Sequence, residues 1–153
     1  MLYLVRHAKA GSRSEWVGDD RVRPLSGPGR RQAAALATRL AALSKGDLVS
    51  SPYVRCMQTL EPLAVALGTT VRADDRLAED TGFVGAIALL AEVPDGSVLC
   101  SHGDVIPDTI GALERRGCAF AGAPDWRKAS VWVLSRDADG AITRAACWPP
   151  PES

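Results

Sequence analysis

Leu2-Tyr3-Leu4-Val5-Arg6-His7 is the stretch on which the architecture turns. A short apolar run of this kind reads as a buried strand, and here it stops on an arginine and a histidine. The pattern recurs further along. Leu48-Val49-Ser50 reads as a strand that runs into Ser51-Pro52-Tyr53-Val54-Arg55, and Ser97 to Ser101 as another that runs into His102-Gly103.

Helical patterns separate these runs. Ser26-Gly27-Pro28 looks like a capped helix start, followed by Ala33, Leu36, Ala37, Leu40 and Leu43 at helical spacing, with Gly46 as the stop. A second helix is predicted from about Tyr53 to Leu67, with Met57, Leu60, Ala64 and Leu67 on one face and Pro62 expected to kink or interrupt it. Thr70 to Arg72 reads as a short strand, and Phe83 to Val93 and Val105 to Arg116 as helices. Val131 to Leu134 and Ile142 to Cys147 form a hairpin through the turn at residues 137–140. The alternation predicts an α/β fold: a three-layer sandwich, its mostly parallel central sheet covered by helices on both faces, with an antiparallel edge strand from the final hairpin. One domain is expected over 1–148, with a flexible tail over 149–153.

Composition narrows the function. At 153 residues and 46% hydrophobic content the chain can build one full core. Net charge is zero and aromatic content only 5%, which argues against a nucleic-acid polymer or an anionic membrane as partner. Cys56, Cys100, Cys118 and Cys147 form no C-x-x-C pair, so neither a zinc ribbon nor a thioredoxin-type motif is expected. The first apolar run is too short for a secretory signal, and no run reaches the roughly 20 residues of a membrane span. A reduced, cytoplasmic setting is the expectation.

The chemistry gathers at the predicted strand ends. Open parallel sheets place their sites at the carboxyl ends of the strands. There the sequence puts both of its histidines, His7 and His102, together with Arg6 and Arg55. Guanidinium groups match phosphate oxygens with paired hydrogen bonds, and a neutral imidazole is a nucleophile near neutral pH. A phosphoryl group or another anion is therefore the expected ligand. A metal site from His7, His102, Glu79, Asp104 and Asp108 is conceivable, although the two arginines would repel a cation; no metal and no cofactor are expected.

The ordered motifs carry a resemblance as well. Leu4-Val5-Arg6-His7-Ala8 resembles the R-H-G signature of the histidine phosphatase superfamily, with alanine in the glycine position. Arg23-Pro24-Leu25-Ser26 with Gly29, Gln32 and Ala33 is similar to the R-P-L-[ST]-x-x-G-x-x-Q-A segment of its small, phosphohistidine-phosphatase-like branch. Ser50-Ser51-Pro52 with Arg55, Gln58 and Thr59 resembles S-S-P-x-x-R-x-x-Q-T; Leu77-x-Glu79 and Ser101-His102-Gly103 match two further motifs.

The resemblance implies roles. His7 is the residue that becomes phosphorylated, Arg6, Arg55 and His102 complete the phosphate pocket, and Glu79 protonates the leaving group and then activates water, with Asp80 the alternative. Lys9, Ser12, Arg13, Arg21 and Arg23 form a basic rim; of these Lys9, Ser12 and Arg23, with Gly103, are the expected substrate contacts. The implied activity is a phosphatase acting on a phosphohistidine protein, a nucleotide or a small phosphorylated metabolite. A phosphomutase, or a module that binds phosphorylated ligands without turnover, is the alternative. Residues 10–21 and 105–108 also look like the phosphatase half of two-domain Nudix hydrolases of oxidised guanine nucleotides. No Nudix box occurs in this sequence, so in that context the Nudix hydrolase is a separate partner.

Other hydrolase signatures are missing. Six residues after Cys56, Cys100 and Cys118 lie Pro62, Ile106 and Pro124, not the arginine of a cysteine phosphatase. There is no G-x-S-x-G elbow, no P-loop and no dinucleotide fingerprint.

Overall fold

The computed structural model describes residues 1–152. Its elements are β1 (Leu2–Arg6), α1 (Gly27–Leu40), β2 (Leu48–Ser50), α2 (Val54–Leu67), β3 (Arg72–Ala73), α3 (Val84–Glu92), β4 (Val98–Ser101), α4 (Val105–Arg115), β5 (Ala119–Ala121), β6 (Val131–Arg136) and β7 (Ile142–Trp148), with single 3-10 turns at Asp20–Val22 and Asp75–Leu77. The strands form one seven-stranded sheet in the order β3-β2-β4-β1-β6-β7-β5. β1 to β4 run parallel, and β6 runs antiparallel to both of its neighbours.

Strand alternation sorts the core into two layers. Tyr3 and Val5 of β1, Val98 and Cys100 of β4, and Val131 and Val133 of β6 pack on one face with Leu36 and Leu40 of α1 and Leu60 and Leu63 of α2. Leu2, Leu4, Val49, Leu99 and Leu134 point the other way, against Leu89 and Leu90 of α3 and Ile106 and Ile110 of α4. Each fully buried side chain of this size contributes about 1.5–3 kcal/mol, so the central strands, covered on both faces, anchor the rim that follows them. The α/β sandwich expected from the sequence is the fold observed.

Some details differ. The antiparallel strand is not an edge: β7 turns back outside β6, and β5 adds beyond β7. Ala119-Phe120-Ala121 lacks the apolar alternation that would mark a strand, and only pairing with β7 makes it one. α2 runs unbroken through Pro62, because Leu60, Leu63 and Ala64 on its buried face hold it on both sides of the ring. α1 ends at Leu40, and Gly46 serves a different purpose: a Cβ there would lie 2.7 Å from the Ser97 backbone nitrogen. The tail expected over 149–153 extends beyond the described residues; within them, Pro149 accepts a hydrogen bond from Arg39 Nη1 (2.7 Å). No described helix is long and apolar enough to cross a membrane.

Candidate active site

Register builds the site. β2, β4 and β1 are adjacent and parallel, with Ser50 opposite Cys100 and Arg6 opposite Ser101. The next residue on each strand, Ser51, His102 and His7, therefore emerges on the same edge. Backbone bonds extend the ladder one step further, from His7 N to Ser101 O (3.0 Å) and from Ser51 N to Cys100 O (3.0 Å). The two imidazole rings end with centroids 5.5 Å apart in an edge-to-face arrangement.

His7 is only 5% exposed. Its Nδ1 lies 2.8 Å from the Ala8 carbonyl oxygen, which can only accept, so Nδ1 carries the proton and Nε2 keeps its lone pair. Burial, reinforced by the positive surroundings of His102, Arg55 and Arg6, pushes the imidazole down to about 3, although the Ala8 bond works in the other direction. The ring is neutral at physiological pH, with Nε2 unprotonated. His102 is oriented from behind: Ser51 Oγ pairs with Nε2 at 2.8 Å, and Nδ1 turns toward Glu79 Oε1 at 3.6 Å.

Arg55, in the first turn of α2, has no exposed surface. Its Nη1 donates to the Asp20 carbonyl (2.9 Å), and its Nη2 to Asp20 Oδ2 (3.1 Å) and to Glu79 Oε1 (2.9 Å). Arg6 donates through Nη1 to the Trp126 carbonyl. The Nε atoms of both arginines are buried with no hydrogen-bond partner among the described residues. A buried donor left unpaired is costly. Gly103 lets Arg6 lie this close, since a Cβ there would sit 2.7 Å from Arg6 Nη2.

A cleft of about 500 Å³ opens beside these groups, lined by Arg6, His7, Ala10, Gly11, Ser12, Arg13, Arg23, Glu79, Asp80, Gly103, Asp104 and Lys128, with Arg55 and His102 buried behind that lining. Among the described residues no group of three or more His, Cys, Asp or Glu side chains is placed to hold a metal ion.

Residues 2–85 match the histidine phosphatase superfamily (branch 1). The chain belongs to that superfamily. The chain is 38% identical to the 8-oxo-(d)GTP phosphatase of Mycolicibacterium smegmatis, across 97% of its own length and 48% of that protein's. It therefore spans about half the length of that curated relative. Its fold is similar to the protein histidine phosphatase SixA complexed with tungstate (TM-score 0.72, 23% identity, 93% of this chain and 92% of that one). It is also similar to a mycobacterial glucosyl-3-phosphoglycerate phosphatase complexed with VO3 (TM-score 0.65, 21% identity, 97% and 98%). At those identities the two solved structures bear on the fold alone.

The superfamily motifs acquire physical roles here. Gln32 Oε1 accepts from Lys9 N (2.9 Å), Gln58 Oε1 from Leu25 N (2.9 Å) and Thr59 Oγ1 from Ala8 N (2.9 Å), so three motif side chains pin the loop that follows His7. Gly29 is required because a Cβ would fall 1.7 Å from the Lys9 carbonyl oxygen.

The structure brings together His7, Arg6, Arg55, His102 and Glu79, with Ser12, Arg23 and Gly103 in the cleft wall. Lys9 stays outside: its backbone is held against Gln32 and Ser26, and its side chain is exposed. Arg23 is a brace as much as a contact, donating to Asp20 Oδ1 (2.9 Å) and to the Gly11 carbonyl. Asp80 also lines the cleft but lies exposed, while Glu79 is the carboxylate that touches Arg55 and Arg13.

Sequence reading passed over Asp20, which stands in a mixed-charge loop with no periodicity to single it out. It clasps Arg23 and Arg55 at once; burial alone would raise its carboxyl, but those bonds hold it below the usual carboxylate value. Lys128 was equally silent, since it lies in no motif and far from the other site residues in sequence.

Proposed function

We propose that this chain is a phosphatase that carries its phosphoryl group on His7. The observation that carries the reading is the neutral His7, its Nε2 unprotonated, in the wall of a cleft that it shares with Arg6, Arg13 and Arg23.

In the first step His7 Nε2 attacks phosphorus while the bond to the leaving oxygen or nitrogen breaks, and Glu79 supplies the proton that the leaving group takes. Arg6, Arg55 and His102 hold the equatorial oxygens as charge spreads over them. In the second step water attacks phosphorus, Glu79 takes the water proton, and the P–N bond breaks to return His7 and inorganic phosphate. Oε1 of Glu79 is taken by Arg55 and Arg13, which leaves Oε2 for the proton. Asp80 is the second choice for that role.

The cleft is wider than one phosphate needs, which supports a phosphohistidine protein, a nucleotide or a small phosphorylated metabolite as substrate and water as the acceptor. The 8-oxo-(d)GTP phosphatase relative favours the nucleotide within that set. Four free thiols are consistent with a cytoplasmic setting. A separate Nudix hydrolase as partner rests on the loop resemblance alone, and co-purification from the native cell tests it.

The deciding experiment is turnover of an aryl phosphate by wild type, His7→Ala and Glu79→Gln, with rapid quench. An acid-labile, alkali-stable phosphoryl adduct on His7 is expected. His7→Ala loses turnover, and Glu79→Gln loses about 10²–10⁴-fold. Full activity in His7→Ala, or an adduct on another residue, overturns the reading. Phosphoryl return to the product instead of release to water would make it a mutase.

A further inference from the structure

We propose that the substrate of this cleft is a diphosphate, and that Lys128 binds its second phosphate while the first occupies the Arg6–Arg55–His102 pocket. This rests on the reading of that pocket as a phosphate site and adds the part of the ligand that lies beyond it.

The cations of the cleft are not equivalent. Arg13 is spent on Glu79 (2.8 Å) and reaches Asp20 (3.7 Å), Arg23 is spent on Asp20 (2.9 Å), and Arg55 is shared between Asp20 and Glu79. Lys128 makes no ion pair or side-chain hydrogen bond among the described residues, yet it is half-buried in the cleft wall. A solvated surface lysine would not be held this way. Burial, and then the positive charges of Arg6, Arg23, Arg55 and Arg13, push its amine below the usual lysine value. The protein thus crowds an unneutralised lysine against the arginines of the phosphate pocket. An anion that enters the cleft is the partner this lysine lacks among the described residues.

The backbone holds Lys128 there. The next residue, Ala129, is fully buried with φ +69°, a conformation unfavourable for alanine. Its N–H donates to the Arg6 carbonyl (3.0 Å), which ties the lysine to the residue that binds the first phosphate. On the other side, Asp125 pairs with Arg127 (2.6 Å) and the Trp126 carbonyl accepts from Arg6 Nη1. A strained turn pinned on both sides is a positioning device.

Ligand chemistry follows from the donor. A lysine ammonium acts as a point charge with three donors and is an established kind of phosphate-binding group. The cleft of about 500 Å³ has room for a second tetrahedral group and a small organic body.

The test is binding of three carbon-bridged probes that cannot be cleaved: methylphosphonate, methylenediphosphonate and phosphonoacetate, titrated calorimetrically into wild type, Lys128→Met and Lys128→Arg. Wild type is expected to prefer the diphosphonate over methylphosphonate. Lys128→Met reduces that preference by roughly tenfold or more, the size of one lost charge-assisted hydrogen bond, and Lys128→Arg retains most of it. An equal loss for both ligands, or an unchanged preference, overturns the assignment. So does a Lys128-dependent gain for phosphonoacetate as large as for the diphosphonate. Binding needs no turnover, so failure of the His7 chemistry and failure of the Lys128 assignment give different results.

Discussion

Acid titration of His7 reports directly on the state of the nucleophile. An unfolded histidine takes up its proton near 6.5, while His7 in the folded protein resists until about 3. Between those values the unfolded chain binds the extra proton, so this group favours the folded state least in acid. Stability from His7 is intact above about 6.5 and drains away as pH falls toward 3. Each pH unit inside that window costs about 1.4 kcal/mol, and integration from pH 7 to 4.5 gives a loss of roughly 2–3 kcal/mol.

Urea unfolding at both pH values, on wild type and His7→Asn, isolates this contribution, because all other titrations are common to the two proteins. Wild type is expected to lose roughly 2–3 kcal/mol more than the variant. The same displacement keeps Nε2 unprotonated: the proposed phosphoenzyme formation is expected to hold from pH 7 to 5, where an ordinary imidazole would lose about twenty-fivefold of its unprotonated form. Equal acid sensitivity of the two proteins, or an NMR titration midpoint for His7 near 6.5, refutes the reasoning.

Three substitutions probe the surrounding shell. Asp20→Ala releases Arg55 and Arg23 and is expected to cost roughly 1–3 kcal/mol in denaturant unfolding, with kcat/KM lowered by about tenfold; unchanged catalysis would show that Glu79 alone positions Arg55. Gly103→Ala drives a methyl group into the Arg6 guanidinium and is expected to weaken phosphate binding by roughly tenfold at retained circular dichroism; wild-type affinity contradicts the close contact. Gly29→Ala sets a Cβ against the Lys9 carbonyl and is expected to destabilise by roughly 1–3 kcal/mol or more, read as a shift in the urea midpoint.

Much of the site was legible because its parts are covalently close to apolar runs that announce themselves. His7, Ser51 and His102 each follow a strand whose burial on both faces shows as uninterrupted hydrophobicity. Arg55 stands one helical step into α2. The loop over 8–25 was less readable. Its charged residues alternate in sign, and which of them are solvated is settled only by what they meet: Arg23 is buried, Lys9 is not, and Asp20 holds two arginines. β5 and the inward position of β6 were hidden for a similar reason, since pairing partners in a sheet lie far apart along the chain.

Hydrophobic periodicity and strand-end chemistry, both local properties of the chain, were enough to specify an α/β sandwich and to name two imidazoles and two guanidiniums as its working groups. Only folding decided which charges are neutralised and which are left over, because electrostatic pairing depends on distances that adjacency in sequence does not encode. Lys128 shows the difference: in sequence it is an ordinary lysine, and only the fold, through the Ala129 N–H bonded to the Arg6 carbonyl, places it in the cleft that Arg6 and His7 line.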